Sequence, residues 1–524
     1  MSGPAGGRRA RRRLLRAGRR LPGRDRGRRA AARRPGHRGV APARLRPAHA
    51  RRHRRGAHPH RPGPRRPRRP RRPLGTGGDT GPVAGPETGP APLTDEQRQI
   101  WQALRDGAPQ AAFAVLEALR TGPVDPHALR EAVEHTAARH DALTGRLVTD
   151  GPEPRWHPLP VPRIAWQEED LSTLAEADRA TALRDLAQRH AGEPFDLAAG
   201  LLLRCRLVRL AADAHVLLLA VHHIAVDGRS MELLVGQVEE AYTAFAAGRR
   251  PADEGTGRLR LADVARWERR RTPDAATLDE WRRALEAGPP ELRLPYDRPR
   301  LVRTALIPAE LPFTLPAPGL AAFARAAGLT PFAAALSALT TALGQDTGGR
   351  DEVWLATVLS TRDRPGLADV VGPLTTTGLL RVDTAGAPSH RALAGRVAGA
   401  LLTAHTRPEA HLAALGDLAE REYGIDRARL GQVLVVAQDA APARPGGLFT
   451  PDGEAAAKRP TATAFDLVWS LRAGPDDVEG VLTYKAELFD AGTAAALVDR
   501  FGRALHDLLH TPDAPWRPEP GEAA

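Results

Sequence analysis

The pattern of apolar and polar positions divides the chain in two. Up to about residue 90 no apolar periodicity of helical or strand type occurs. Beyond that point, segments with a helical period alternate with short apolar runs and strand-like alternation. Thr94-Asp95-Glu96-Gln97 predicts a capping box, and the helix after it carries Ile100, Trp101 and Leu104 on one side. Asp125-Pro126 supplies the N-cap and first-turn residues of a helix bearing Leu129, Val133 and Ala137. Another helix is predicted over about 173–190. Residues 202–210 set Leu203, Cys205 and Leu207 on one face. The turn 211–214 follows, then the apolar run 216–221, which reads as a hairpin with a buried second strand. From about Ser230, Met231, Leu234, Val238, Tyr242 and Phe245 recur at helical spacing.

Short helices are predicted over 261–270 and 275–287. The stretch 288–308 is rich in proline and turn residues and reads as a connection. After it come a helix at 331–343, a strand at 353–359, a long loop, a strand around 379–382 and a helix near 390–405. A strand at 432–437, a hairpin of 466–471 with 478–485 and a closing helix at 490–509 complete the chain. No short tandem repeat is present. Two halves of about 200 residues with a similar mixture of elements predict a pseudo-duplicated α/β (α+β) architecture.

Composition sharpens the division. Residues 1–90 hold 28 Arg, no Lys and three acids (Asp25, Asp79, Glu87), a net of +25. The rest holds 48 basic and 59 acidic side chains, a net of −11. The basic character belongs to the tail, and an acidic body argues against nucleic-acid binding by that body. The tail of 1–91, rich in Arg, Pro and Gly, is expected to be disordered because it has too little apolar surface to offset chain entropy. Three readings of it stay open. One is a solvated arm touching RNA or membrane. A second is a targeting signal, disfavoured because no apolar stretch follows the early arginines. The third, favoured, is a mis-called start. Lys458 and Lys485 are the only lysines, as GC-rich coding gives, and a non-Met start near Val83 leaves a clean domain. The segment 75–92 reads as a linker. A single cysteine, Cys205, excludes an intrachain disulfide framework and reads as a small core residue. No apolar run reaches membrane-spanning length, so a cytoplasmic protein without membrane contact is expected.

The candidate chemistry lies in His222-His223-Ile224-Ala225-Val226-Asp227-Gly228, between an apolar strand and an amphipathic helix. An imidazole titrates near neutrality and can take and return a proton. Neighbouring residues usually point to different sides. His223, nearer the turn, is therefore expected in the cleft, while His222 packs. Asp227 can fix the loop through an arginine. Gly228 permits backbone conformations that other residues resist and offers an N–H to a reacting oxygen. The competing reading is a pair of packed histidines with a turn aspartate. No metal site is expected, because the spacing is not that of a zinc helix and no cysteine cluster exists. No nucleophile elbow, P-loop or dinucleotide fingerprint occurs.

HHIAVDG resembles the HHxxxDG signature of nonribosomal peptide synthetase condensation domains and their wider acyltransferase superfamily. Other segments fall in that family's order: LTDEQRQIW, RHDALTGRL, PFDLAAGLLLRCRLVRL, RLADVARWERR, WRRALEAGPPELRLPYDRPR, VVGPLTTTGLLRVD, GQVLVVAQD and FDLVWSLRAG with GVLTYKAELFD. The resemblance covers about residues 92–510. Thr376 stands where the family often has Asn, Arg229 replaces the common Trp after Asp-Gly, and DRARLGQV is short and lacks the usual Asn-Pro. The resemblance implies two chloramphenicol-acetyltransferase-like lobes in a V-shaped pseudo-dimer, here 92–287 and 288–515. His223 would be the base or amine-orienting group, His222 and Asp227 the scaffold, and Gly228 a backbone donor. Arg298 is expected to pair with Asp227, with Arg98, Thr376 and Ser230 as tunnel or structural candidates. No cofactor of its own is implied. Acyl and amine substrates would arrive on the phosphopantetheine of acyl or peptidyl carrier proteins acting in trans on a free-standing monomer. An ester-forming acyltransferase, an epimerase and a non-catalytic recruitment module are the alternatives.

Overall fold

A computed structural model describes residues 81–516, apart from 86, 106, 252–257, 272, 291, 301–307, 346, 348–349, 387–388, 439–446 and 454–464. The arginine-rich tail up to residue 80, with the first part of the expected linker, lies outside the described residues. Residues 85 and 87–92 are not a loose linker. Arg260 donates to Gly85 O and Glu87 O (2.8 Å each), Glu87 pairs with Arg266, and Ala91–Pro92 forms a strand against Arg155–Pro158.

Two larger sheets organise the body. The first has five strands in the order Thr450–Pro451, Ala114–Thr121, Ala214–His222, Leu201–Ala211 and Arg163–Asp170. Only the last pair is parallel. The predicted hairpin forms its centre. Leu217, Leu218, Ala220 and Val221 are almost wholly buried because sheet partners flank the strand and helices cover it. The second sheet has six strands in the order Thr375–Asp383, Glu352–Ser360, Val433–Ala437, Leu467–Ala473, Asp477–Lys485 and Pro308–Pro316. Val433–Ala437 runs parallel to both its neighbours, and the other pairs are antiparallel.

Local chemistry sets the helix starts. Thr94 and Gln97 exchange backbone-to-side-chain hydrogen bonds of 3.1 and 3.2 Å, the reciprocal box the sequence predicts, and the helix Asp95–Arg105 follows. Asp125 accepts from His127 N–H and Ala128 N–H at the head of Pro126–Ala138. That helix packs against Gly228–Ala246 across Leu129, Val133, Leu234 and Val238, which are buried in the first core. The second core centres on Trp469, Phe501 and the helix Pro331–Leu343. Cys205 is fully buried and unpaired, the core residue expected. Among the described residues no single helix is long and apolar enough to cross a membrane.

The two halves are not separate bodies. Leu367, Val370, Val371, Leu374 and Phe449 belong to the first core. Thr450–Pro451 is the edge strand of the first sheet, and Asp452 N–H donates to Ala118 O (2.8 Å).

Candidate active site

The histidine strand Ala214–His222 ends at His222, whose register partner is Ala114. One residue further, His223 N–H donates to Phe113 O (2.7 Å), so the neighbouring strand dictates where the loop leaves the sheet. Alternation then sends the two imidazoles to different places. His222 is fully buried between the rings of Phe113 (centroids 5.9 Å) and Phe195 (5.2 Å, edge on). Its Nδ1 accepts from Ile224 N–H (3.1 Å). Burial, then the neighbouring His223 and Arg204, push its pKa down to about 3, so it is a neutral packed group.

His223 is only partly buried. Its Nδ1 lies 2.6 Å from Val226 O. A carbonyl can only accept, so Nδ1 carries a proton, and in the neutral ring the lone pair lies on Nε2. The loop thus fixes which ring nitrogen of His223 carries a proton by folding back on its own backbone. The sequence reading expected the first histidine to pack and the second to lie in a cleft; the structure places the first wholly inside and leaves the second partly exposed.

Asp227 closes the loop and caps the next helix. It is 3% exposed and accepts from Ser230 N–H (2.7 Å), Ser230 Oγ–H (2.8 Å) and Leu374 N–H (3.0 Å). Its cation is Arg362, whose Nη2 lies 2.8 and 3.0 Å from the two carboxylate oxygens. The expected partner Arg298 is elsewhere. It pairs with Asp490 (2.5 Å) and donates to Ala486 O, beside the second sheet. Arg362 sits in the loop after the strand Glu352–Ser360, where that sheet meets the histidine loop. Nη1 donates to Val370 O (2.6 Å) and Nη2 to Gly372 O (3.0 Å). Ser230 joins the cluster through Gly372, accepting its N–H at 3.0 Å.

Gly228 needs a different account from the expected one. It does not adopt positive φ, and a Cβ there would meet nothing within 4 Å. It is the first residue of the helix Gly228–Ala246, so its N–H has no intrahelical acceptor. It also lines a cavity of about 1560 Å³ shared by both sheets. Asp227, Met231 and Val235 form one wall, and Leu329, Phe332, Val358 and Leu401 form another. A side chain at 228 would occupy that space.

A smaller pocket of about 190 Å³ includes Asp95, Arg98, Glu268, Thr376 and His411 in its lining. Arg98 pairs with Asp95 (3.1 Å), and Asp95 reaches His411 (3.3 Å). Glu268 accepts from Asp95 N–H (2.9 Å). Burial, then Asp95, push the Glu268 carboxyl up to about 8. Thr376 is buried with its hydroxyl unpartnered. Arg98 and Thr376 therefore share this pocket, while His222, His223, Asp227, Gly228 and Ser230 form one turn. Among the described residues no group of three or more His, Cys, Asp and Glu could hold a metal ion. The sequence reading missed Phe113, the Gln97 amide on Ile224 O (3.0 Å) and Arg362. Gln97 stood in the capping box, but nothing local marks Arg362.

Two interleaved α/β lobes around the histidine loop define a chloramphenicol-acetyltransferase-like fold, shared with solved condensation domains. The X-domain from teicoplanin biosynthesis is 26% identical with a TM-score of 0.69, over 83% of this chain and 98% of that one. The first condensation domain of the calcium-dependent antibiotic synthetase, 21% identical, aligns with a TM-score of 0.65 over 82% and 98%. The condensation-domain family model matches residues 87–519, and the chain belongs to that family. Phosphinothricin tripeptide synthetase PhsC of Streptomyces viridochromogenes is 32% identical over 432 residues, 80% of this chain and 39% of that protein. The isonitrile lipopeptide synthase of Mycobacterium tuberculosis is 31% identical over 463 residues, 82% and 18%. The chain thus spans well under half the length of these curated relatives.

Proposed function

We propose that this chain is a condensation enzyme of nonribosomal peptide or hybrid biosynthesis. It moves an acyl or aminoacyl group from a carrier-protein thioester to an amine and so forms an amide. The observation that carries the reading is the fixed tautomer of His223, with Nδ1–H on Val226 O and Nε2 available as a base. A merely packed histidine pair would not need the second ring held this way.

On this reading the amine nitrogen attacks the thioester carbonyl carbon. The C–N bond forms, the C–S bond breaks, and the nitrogen's proton passes through His223 Nε2 to the departing sulfur. The exchange of thioester for amide is downhill, so positioning and proton transfer are the work left to the protein. Positioning two tethered reactants can supply on the order of 7–11 kcal/mol of barrier reduction, and a general base adds roughly 10²–10⁴-fold. The Gly228 N–H, at a helix N-terminus, is the donor candidate for the developing oxyanion. The large cavity suits an acyl group delivered on a phosphopantetheine arm. The carriers act in trans on a cytoplasmic monomer.

The test is intact mass spectrometry of acyl-loaded and aminoacyl-loaded carrier proteins incubated with the protein. Transfer of the acyl group to the acceptor carrier, lost with His223→Ala, supports the proposal. Equal transfer by both proteins removes His223 from the chemistry. Carrier binding without transfer by either protein points instead to a recruitment role. Resemblance to the X-domain from teicoplanin biosynthesis, solved also in complex with OxyB, keeps that second reading in view.

A further inference from the structure

The helix Gly228–Ala246 starts at the histidine loop and lays one stripe along the large cavity. Gly228, Met231, Glu232, Val235 and Glu239 all line it, and steps of three and four residues keep them on one face. From 228 to 239, at about 1.5 Å per residue, the stripe is about 17 Å long. It ends where Glu239 accepts from Phe449 N–H (2.8 Å), and Phe449 lines the same cavity. The cavity is therefore a trough that leads away from the histidine loop. Its volume of about 1560 Å³ exceeds the roughly 300–1,000 Å³ of pockets that enclose small ligands.

The walls offer hydrocarbon. Val235 on the helix, and Leu329, Phe332, Val358 and Leu401 across from it, are half-buried side chains with apolar surface turned to the trough. Among the described residues each wall carboxylate has a partner. Asp227 is held by Arg362 and Glu232 by Arg229, Glu239 takes Phe449 N–H, and Glu117 is engaged as well. None is left over to hold the α-ammonium of an aminoacyl group. A peptide laid in the trough would press its amides against apolar walls, at a cost for each unpaired group. A hydrocarbon chain meets neither objection. An extended chain advances about 1.27 Å per bond (3.80 Å over three bonds), so 17 Å takes about a dozen bonds. An amino-acid side chain reaches over only a few.

We propose that the donor is a long-chain fatty acyl thioester, its carbonyl near Gly228 and its chain laid along the helix past Val235. The inference rests on the condensation reading above and deepens it by naming the donor class. The acyl carbon leaves sulfur for the acceptor nitrogen, and the nitrogen's proton ends on the departing sulfur. The products are an N-acylated amine and a free thiol. Val235 and Leu401, one on each wall, are specificity residues for chain length.

The test is equilibrium binding of butyryl-, octanoyl-, dodecanoyl- and leucyl-S-N-acetylcysteamine to the full chain, which needs no turnover. Affinity is expected to rise from butyryl to dodecanoyl by roughly twofold or more for each added methylene, about half the effect of full burial or better. The leucyl probe should bind more weakly than the octanoyl one. Val235 lies about 10 Å along the helix from Gly228, beyond the reach of a butyryl chain. Val235→Trp should therefore weaken dodecanoyl binding about tenfold or more, the loss of a few buried methylenes, and leave butyryl within about twofold. Leu401→Glu, which sets a charge against the chain from the other wall, should do the same. Affinity that is flat from butyryl to dodecanoyl, tighter binding of the leucyl probe, or an unchanged series in both variants overturns the inference. Chain-length preference without acyl transfer in the carrier assay would sink the condensation reading and leave the trough assignment standing. Transfer with a flat binding series would do the opposite.

Discussion

Asp227 and Arg362 lie 135 residues apart and meet with N···O distances of 2.8 and 3.0 Å, the carboxylate 4% exposed and the guanidinium 9%. This pair joins the histidine loop to the loop that follows a strand of the second sheet. Removing one partner leaves the other charge buried. Arg362→Ala is expected to lower stability by roughly 3–5 kcal/mol. Asp227→Asn with Arg362→Met should cost less than either single change, because neither leaves an unpaired charge. Urea unfolding of Arg362→Ala, of the double variant and of its two single changes measures this. A fully stable Arg362→Ala protein would mean that the clamp does not hold the loop.

The two histidines should fail differently. His223→Ala removes a partly exposed ring and its donor to Val226 O, so melting should fall only slightly, by roughly 1 kcal/mol of stability, while acyl transfer drops roughly 10²–10⁴-fold. His222→Phe keeps the apolar volume but leaves Ile224 N–H without its acceptor, a cost of about 1–3 kcal/mol. Its melting and transfer should fall together. Thermal melts beside transfer rates separate the two roles, and a stable, slow His222→Phe protein would contradict the packing role.

Stability should respond to pH with opposite signs at two places. His222 is held down to about 3, and His140 and His190 to about 4, in each case first by burial. The unfolded chain binds protons on these rings below about pH 6.5, and the folded chain does not. Their contribution is therefore complete above that pH and is lost as pH falls toward 4. Glu268 does the reverse. Its folded pKa of about 8 lies above the unfolded value, so its contribution is full at low pH and is lost as pH rises from about 4.3 to 8. Urea midpoints should fall between pH 6.5 and 5. Glu268→Gln should gain on the wild type, on the order of 1 kcal/mol by pH 9. A midpoint independent of pH from 6.5 to 5 would contradict the buried neutral histidines.

Substitutions at Gly228 should separate fold from cavity. With no positive φ and nothing within 4 Å of an added Cβ, Gly228→Ala should be neutral or gain up to about 1 kcal/mol. Gly228→Leu should also fold but fill part of the large cavity and raise the KM of the thioester donor. Steady-state rates on a series of acyl lengths test this, with the longest chains losing most. An unchanged KM would place the acyl group elsewhere.

Much of this was legible from pattern. The hairpin 201–222, the capping box at Thr94 and the helix Pro331–Leu343 lie where periodicity and capping residues put them. The strand Ala114–Thr121 was not found, because Ala, Leu, Glu and Arg favour helix locally. Pairing along the whole histidine strand overrides that preference. The strand Pro308–Pro316 was not found: the expected connection ended at 308, and prolines at 308, 312 and 316 read against a strand. On an edge strand, prolines four apart all turn their missing N–H to the unpaired side, and the strand survives. In the site, the loop was readable because its chemistry is contiguous. Arg362 was not, since only the tertiary fold brings it to Asp227. Arg298 was chosen for its place in an inter-lobe motif, but its local environment offers Asp490.

The strand Thr450–Pro451 has a consequence for the newborn chain. The strand Ala114–Thr121, next to Phe113, whose carbonyl positions His223, gains its outer neighbour only after more than three hundred further residues have been synthesised. On the ribosome the amino-terminal half must wait with that edge and the seat of Phe449 uncovered. Exchange of halves between related enzymes would meet the same constraint. A swap made at residue 287 imports a foreign edge strand and a foreign core residue into the lobe that is meant to be kept.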